Sequence, residues 1–272
     1  MRRLLVAGNW KMHGSSKMTT ELIEGVTAKV IAQSNSKPLP YDVMVCPSSP
    51  YLAHANAVAT ESGNAIKVGA QTVSEFEKGA YTGEISLSML PELGCDYVLL
   101  GHSERREYYG ESDIIVSSKF AACLEGEAPI VPVLCVGETL EERESGQTET
   151  VVAKQINTVI DAIGIEGFGK KFKGSTAQAI IAYEPVWAIG TGETASPEQA
   201  QEVHAFIRSL LAEHDPEIAA GVRLLYGGSV KPSNALELFA QEDIDGGLVG
   251  GASLDVESFA GICEAAQELA IK

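Results

Sequence analysis

Apolar residues recur along this chain in short, nearly continuous runs, each followed by a polar or glycine-rich turn and then by a stretch with helical character. The runs are Leu4–Trp10, Asp42–Cys46, Ile66–Gln71, Tyr97–Gly101, Ile130–Val136, Ala179–Glu184, Val222–Tyr226 and Gly247–Val249. Several, such as Val43-Met44-Val45 and Ala179-Ile180-Ile181-Ala182, lack the alternation of a half-exposed strand. Strands buried on both faces look like this, and both faces are covered when helices flank a parallel sheet. Helix starts stand between the runs. Ser196-Pro197-Glu198-Gln199 places a capping serine before a proline suited to the first helical position. Lys231-Pro232-Ser233-Asn234 opens another helix in a similar way, and Thr139-Leu140-Glu141-Glu142 puts acid in a first turn, where the helix dipole favours it. Eight such units of about 34 residues predict an α/β fold, a single (β/α)8 barrel over residues 1–272. The competing arrangement, an open doubly wound sheet, would bring a G-x-G-x-x-G turn after an early strand, and none occurs there.

Charge changes the picture by exclusion. Twenty basic against 37 acidic residues leave a net charge of −17, which argues against nucleic acid or an anionic membrane as a partner. A small anionic ligand stays open, because a binding site has its own local field. The apolar start Met1–Gly8 stops at Asn9-Trp10-Lys11 without a cleavage-like site, so it does not read as a signal peptide. No run approaches the roughly 18 apolar residues of a membrane span. The five cysteines, at 46, 95, 123, 135 and 263, form no C-x-x-C pair and sit mostly in apolar runs. They read as reduced, buried thiols of a cytoplasmic protein, with neither a disulfide framework nor a metal site.

In a barrel of this type the chemistry sits at the C-terminal strand ends. Those ends carry Asn9-Trp10-Lys11, Gly101-His102-Ser103-Glu104, Cys135-Val136-Gly137-Glu138, Tyr183-Glu184-Pro185, Tyr226-Gly227-Gly228-Ser229 and Val249-Gly250-Gly251. One Gly-Gly pair is explained better by a tight strand-to-helix turn. Two pairs after the seventh and eighth strands favour a phosphate site, where backbone N–H groups and helix N-termini face an anion. Glu184, at the mouth of an apolar strand, is partly desolvated, a setting that suits a base. Taken singly it reads equally well as a rim carboxylate. His102 lies by a helix N-terminus, which disfavours the imidazolium; alone it reads better as a hydrogen-bonded structural group, and Lys11 alone as a surface lysine. Two long connections, Thr72–Glu84 and Pro185–Ala195, have the length of functional loops.

Together the residues are specific. Asn9-Trp10-Lys11, Gly101-His102-Ser103-Glu104-Arg105-Arg106, the stretch Ala182–Gly192, Tyr226-Gly227-Gly228-Ser229-Val230 and Leu248-Val249-Gly250-Gly251-Ala252 closely resemble the triosephosphate isomerase family, in order, from Leu4 to about Ala266. The resemblance implies a TIM barrel that interconverts dihydroxyacetone phosphate and D-glyceraldehyde 3-phosphate in glycolysis and gluconeogenesis, without metal or organic cofactor. It implies Glu184 as base, His102 as electrophile and Lys11 as the cation near the substrate, a glutamate–neutral histidine pairing established for this family. Asn9 and Lys11 would contact the substrate, and Gly190, Ser229, Gly250 and Gly251 would grip its phosphate. Ser103, Glu104 and Cys135 would support the site from behind, Cys135 mainly structurally. Pro185–Ala195 would be a closing lid. The loop Thr72–Glu84, with Phe76 and Tyr81, would dock into a second subunit near Met12, bringing Thr82 close to the partner subunit's Lys11 and His102 in a homodimer. Gly164–Gln178 and Ser34–Pro40 are longer than in many relatives, and Cys46-Pro47-Ser48-Ser49-Pro50 departs from a commoner proline–aromatic pattern, which bears on the interface. Another phosphate-binding barrel enzyme would share the glycine pairs but has no reason to carry the lid, or Lys11 with His102. A non-catalytic relative should have lost one of Lys11, His102 and Glu184.

Overall fold

The computed structural model describes residues 2–35, 37–125, 130–170, 179–189 and 194–271. Eight strands, β1 (Leu5–Asn9), β2 (Asp42–Cys46), β3 (Lys67–Ala70), β4 (Tyr97–Leu100), β5 (Val131–Val136), β6 (Ile180–Tyr183), β7 (Arg223–Tyr226) and β8 (Gly246–Val249), pair in sequence order into a closed parallel barrel. β1 closes it by pairing with β8 in the register Leu5↔Gly246 to Gly8↔Val249. Gly246 allows that closure: its φ is +125°, and a Cβ there would overlap the carbonyl of Leu5.

The unbroken apolar runs have the reason the pattern suggests. Alternate residues, such as Leu5, Ala7, Met44, Leu99, Val133 and Ile180, point inward and fill the barrel. Their neighbours Val6, Val43, Val45, Val98, Leu134 and Ile181 join the larger core between strands and outer helices. Most runs read from the sequence exceed the strands by a residue or two. At the first, Trp10 stays buried beneath the strand end, and Lys11 turns the chain away.

Helices begin at all three expected positions, two of them with a full capping exchange. The Ser196 hydroxyl accepts from the Gln199 N–H (3.2 Å), and the Gln199 side chain accepts from the Ser196 N–H (3.0 Å). Thr139 and Glu142 make the same exchange. At Lys231 only half of it forms, because a lysine side chain has no acceptor; Asn234 accepts from the Lys231 N–H at 2.8 Å. Of the extended Gly164–Gln178 segment, residues up to 170 are described. They include a short helix, Glu166–Gly169, whose Phe168 is buried against Phe120.

Behind the barrel, His204 is wholly buried on the helix Pro197–His214, where its Nδ1–H donates to the Ala200 carbonyl at 2.7 Å. Tyr183 meets it edge-on. Burial pushes its pKa down to about 4. The unfolded chain holds this histidine near its ordinary value, so the stability it contributes is whole above about pH 6.5 and drains as pH falls toward 4. Acidification from pH 7 to pH 5 should therefore cost about 2 kcal/mol through this residue. Urea midpoints at the two pH values measure it: the fall should be smaller in His204→Gln, and an equal fall in both proteins would contradict the assignment.

Candidate active site

The strand ends converge on a cavity of about 410 Å³ that includes Asn9, Lys11, His102, Glu184, Gly250 and Gly251 in its lining. Lys11 is presented by an uncommon backbone. Its φ is +50°, a left-handed conformation that costs free energy for a residue with a side chain. Three hydrogen bonds hold it there. Its N–H donates to Asn9 Oδ1 (3.0 Å), and its carbonyl accepts from Gln71 Nε2 (2.8 Å) and Ser48 Oγ (2.9 Å). The ammonium then pairs with Glu104 at 2.5 Å.

His102 caps the helix Ser103–Tyr109, its Nδ1 accepting from the Glu104 N–H at 3.2 Å. With Nδ1 an acceptor, the neutral ring carries its proton on Nε2, 2.9 Å from Glu184 Oε1. The other oxygen, Glu184 Oε2, accepts from the Ser103 N–H at 2.9 Å. Both side chains are buried. The helix terminus disfavours the imidazolium, but other groups face the ring as well. Burial opposes the charged form, but the Glu184 carboxylate, its hydrogen bond to the ring and Glu104 outweigh it, and His102 lies above its ordinary pKa.

The two glycine pairs differ. A Cβ on Gly227 would lie 2.9 Å from Glu184 Cγ, and one on Gly228 would overlap the Tyr226 hydroxyl. This pair lets the chain pack against the carboxylate. At the end of β8 a Cβ on Gly251 would meet nothing within 4 Å, and one on Gly250 would approach only Lys11 Cε, at 3.4 Å. Both pairs line the cavity together with Ser229, but only at Gly250 and Gly251 is the space beside the backbone open. Gly190, the remaining member of the expected phosphate grip, lies outside the described residues, as do residues 191–193; Ile189 reaches the cavity. Among the described residues no three His, Cys, Asp or Glu side chains gather to hold a metal ion.

The sequence model of one protein family, triosephosphate isomerase, matches residues 4–266. The chain belongs to the triosephosphate isomerase family. Proteins named triosephosphate isomerase from Dechloromonas aromatica and Alcanivorax borkumensis are 56% and 54% identical to it over 266 residues, covering 98% of this chain and 100% and 99% of theirs. One from Thiobacillus denitrificans is 53% identical with the same coverage of this chain.

Within this member of the triosephosphate isomerase family, Cys135 lies wholly buried among the inward-facing residues of the barrel. Burial, and next the Glu184 carboxylate, push its thiol pKa up, so it stays protonated and inert. Three polar residues that sequence reasoning gave no role prove to be supports. Gln71 and Ser48 hold the Lys11 carbonyl. Glu138, fully buried, accepts from Tyr183 Oη and Trp187 Nε1, both at 3.0 Å, while the Arg143 guanidinium lies over the Trp187 ring at 4.5 Å. Trp187, in the segment Pro185-Val186-Trp187 expected to be the first hinge of the lid, is thereby tied to the chain just after β5. Gln71 and Glu138 do stand at strand ends, which is the signal that could have found them.

A second cavity, of about 470 Å³, adjoins the first and has Lys11, Met12, Ser48, Gln71, Glu104 and Tyr109 among its walls. Met12 at its rim is 91% exposed. On the loop Thr72–Glu84 the Phe76 and Tyr81 rings stack 4.1 Å apart and nearly parallel, both exposed, with Thr82 beside them. Among the described residues no helix is long and apolar enough to cross a membrane.

Proposed function

We propose that this chain interconverts dihydroxyacetone phosphate and D-glyceraldehyde 3-phosphate by proton transfer through an enediolate. The observation that carries the reading is the contact of Glu184 with His102 at 2.9 Å, on the wall of a cavity that also holds Lys11 and the open glycines of β8. Both Glu184 oxygens are hydrogen-bonded at rest, so the base must leave His102 to reach a substrate carbon. Glu184 then takes a proton from the carbon beside the carbonyl. The C–H electron pair becomes the carbon–carbon double bond of the enediolate, and the carbonyl pair moves onto oxygen. The His102 Nε2–H donates to that oxygen, and Lys11 balances its charge. Once the carboxylate has left the imidazole, the main influence favouring its charged form is gone, and the helix N-terminus keeps it neutral. Returning the proton to the neighbouring carbon, while the hydroxyl proton of the first carbon passes by way of His102 to the oxygen on the second, re-forms a carbonyl at the first carbon and completes the isomerisation. Ser229, Gly250, Gly251 and Gly190 would hold the phosphate, and Asn9 would contact the substrate and seat Lys11. The coupled assay with dihydroxyacetone phosphate tests the reading: D-glyceraldehyde 3-phosphate should form with chelator present and inorganic phosphate should compete. A chain that binds phosphate without turnover would favour a non-catalytic relative.

The same reading includes a homodimer in the cytoplasm. Exposed Phe76, Tyr81 and Met12, beside a cavity that borders Lys11, support docking of the Thr72–Glu84 loop of one subunit into the second cavity of its partner. The five unpaired, buried cysteines support a reducing compartment. Light scattering at micromolar concentration should give twice the chain mass. Excising residues 76–81 should give weakly active monomers; a fully active monomer would contradict the dimer.

A further inference from the structure

The peptide after β5 joins the base to its support. Beyond their regular ends β5 and β6 go on pairing: the Glu184 N–H donates to the Val136 carbonyl at 2.7 Å, and the Val186 N–H to the Glu138 carbonyl at 3.1 Å. Gly137 lies between those two bonds, so its own N–H and C=O face the other way, toward β4. There β4 has already ended, at Leu100, and the chain has turned into the helix that His102 caps. A partly buried backbone pair without a neighbouring strand is satisfied by other partners, side chains or solvent. Gln155, on the helix Thr148–Ile163 and 9% exposed, supplies both. Its Oε1 accepts from the Gly137 N–H at 2.8 Å, and its Nε2 donates to the Gly137 carbonyl at 3.0 Å. On the other side Gly137 packs so closely on Glu184 that a Cβ there would overlap the Glu184 carbonyl. Movement of this peptide therefore moves the backbone that carries the carboxylate. Room to move exists, because a cavity of about 440 Å³ lies behind it, lined by Gln155, Arg106, Ser103 and Glu184.

We infer that Gln155 is a positioning residue for the proposed isomerisation: its amide stands in for the missing strand at Gly137 and holds the peptide that seats Glu184 and the first hinge of the lid. The inference rests on the reading of Glu184 as base. It is independent of the proposed phosphate grip, because Ser229, Gly250 and Gly251 do not line the cavity behind Gly137.

The test compares the full-length parent with Gln155→Leu and Gln155→Glu. Leucine fills similar space but removes both protein partners of Gly137, leaving its N–H and carbonyl to mobile solvent in the cavity behind. Displacements on the order of 1 Å cost up to about a hundredfold, so kcat should fall at least about tenfold, with KM and the inhibition constant of inorganic phosphate within about twofold of the parent. Glutamic acid distinguishes a positioning role from a merely structural one. Protonated, its carboxyl reproduces the amide, accepting from the Gly137 N–H and donating to the carbonyl; ionised, it repels that carbonyl. The kcat of Gln155→Glu relative to the parent should therefore recover as the pH is lowered from about 8 to 6, since burial raises its pKa. Gln155→Glu carries the test alone if Gln155→Leu is insoluble. Parent-like kcat in Gln155→Leu, or a deficit in Gln155→Glu that does not change with pH, would overturn the role of Gln155 while leaving the base in place. An inactive parent would instead remove the reading of Glu184.

Discussion

Glu184→Asp should turn over about a hundredfold more slowly than the parent, with KM little changed. The substitution keeps the charge and withdraws it by one methylene, on the order of 1 Å. At its full length the side chain holds one oxygen 2.9 Å from His102 Nε2 and the other 2.9 Å from the Ser103 N–H. Aspartate on the same backbone cannot keep both contacts. The backbone cannot follow, because the Glu184 N–H is fixed to the Val136 carbonyl and Gly137 packs against it. The residues proposed to hold the phosphate are untouched, so ground-state binding should survive while the proton must cross a longer gap. Steady-state kinetics of the purified variant check this; near-parent kcat would remove Glu184 from the role of base.

Lys11→Met should lower kcat/KM on the order of a thousandfold, by raising KM and lowering kcat together. A unit charge about 4 Å from another contributes about 4 kcal/mol at an effective dielectric near 20. Lys11 faces a substrate that is an anion before reaction and gains enediolate charge during it, so both stages lose the attraction. The loss should be severe because the molecule as a whole repels anions, at a net charge of −17. Among the described residues His102 is already paired with Glu184, and Lys11 itself with Glu104, so removing the lysine leaves two carboxylates at the site. Inhibition by inorganic phosphate should weaken in parallel. Retention of kcat/KM within about tenfold of the parent would show that the ammonium is not directed at the substrate.

Much of this arrangement is legible in the sequence because it follows from period and position. Runs such as Ala179-Ile180-Ile181-Ala182 mark strands buried on both faces, and the residues ending them, Lys11, His102 and Glu184, fall at one end of a parallel barrel by topology alone. What holds those residues in place is not legible. Gln71 reaches Lys11 across 60 positions, and Gln155 reaches Gly137 from a later helix; bonds from a side chain to a distant backbone leave no periodic trace. The glycine pairs look alike in sequence and both line the cavity, yet a side chain at one would strike Glu184 and Tyr226 while at the other it would meet open space, a difference set by packing. The protonation of His102 depends on the carboxylate opposite it, which the neighbouring helix terminus does not reveal. The docking proposed for Thr72–Glu84 depends on a second chain, so a single sequence gives only the loop's length and its aromatic residues.

The central claim is that Glu184 removes a proton from carbon and exchanges it in part with solvent before returning it. Turnover of dihydroxyacetone phosphate in deuterium oxide, followed by proton NMR of the product, tests it most directly. The account predicts deuterium at C2 of D-glyceraldehyde 3-phosphate, formed at a rate that falls with kcat in Glu184→Asp. Product formed at the parent rate with no deuterium on carbon would show that hydrogen passes between the carbons without meeting an exchangeable base, and would contradict it.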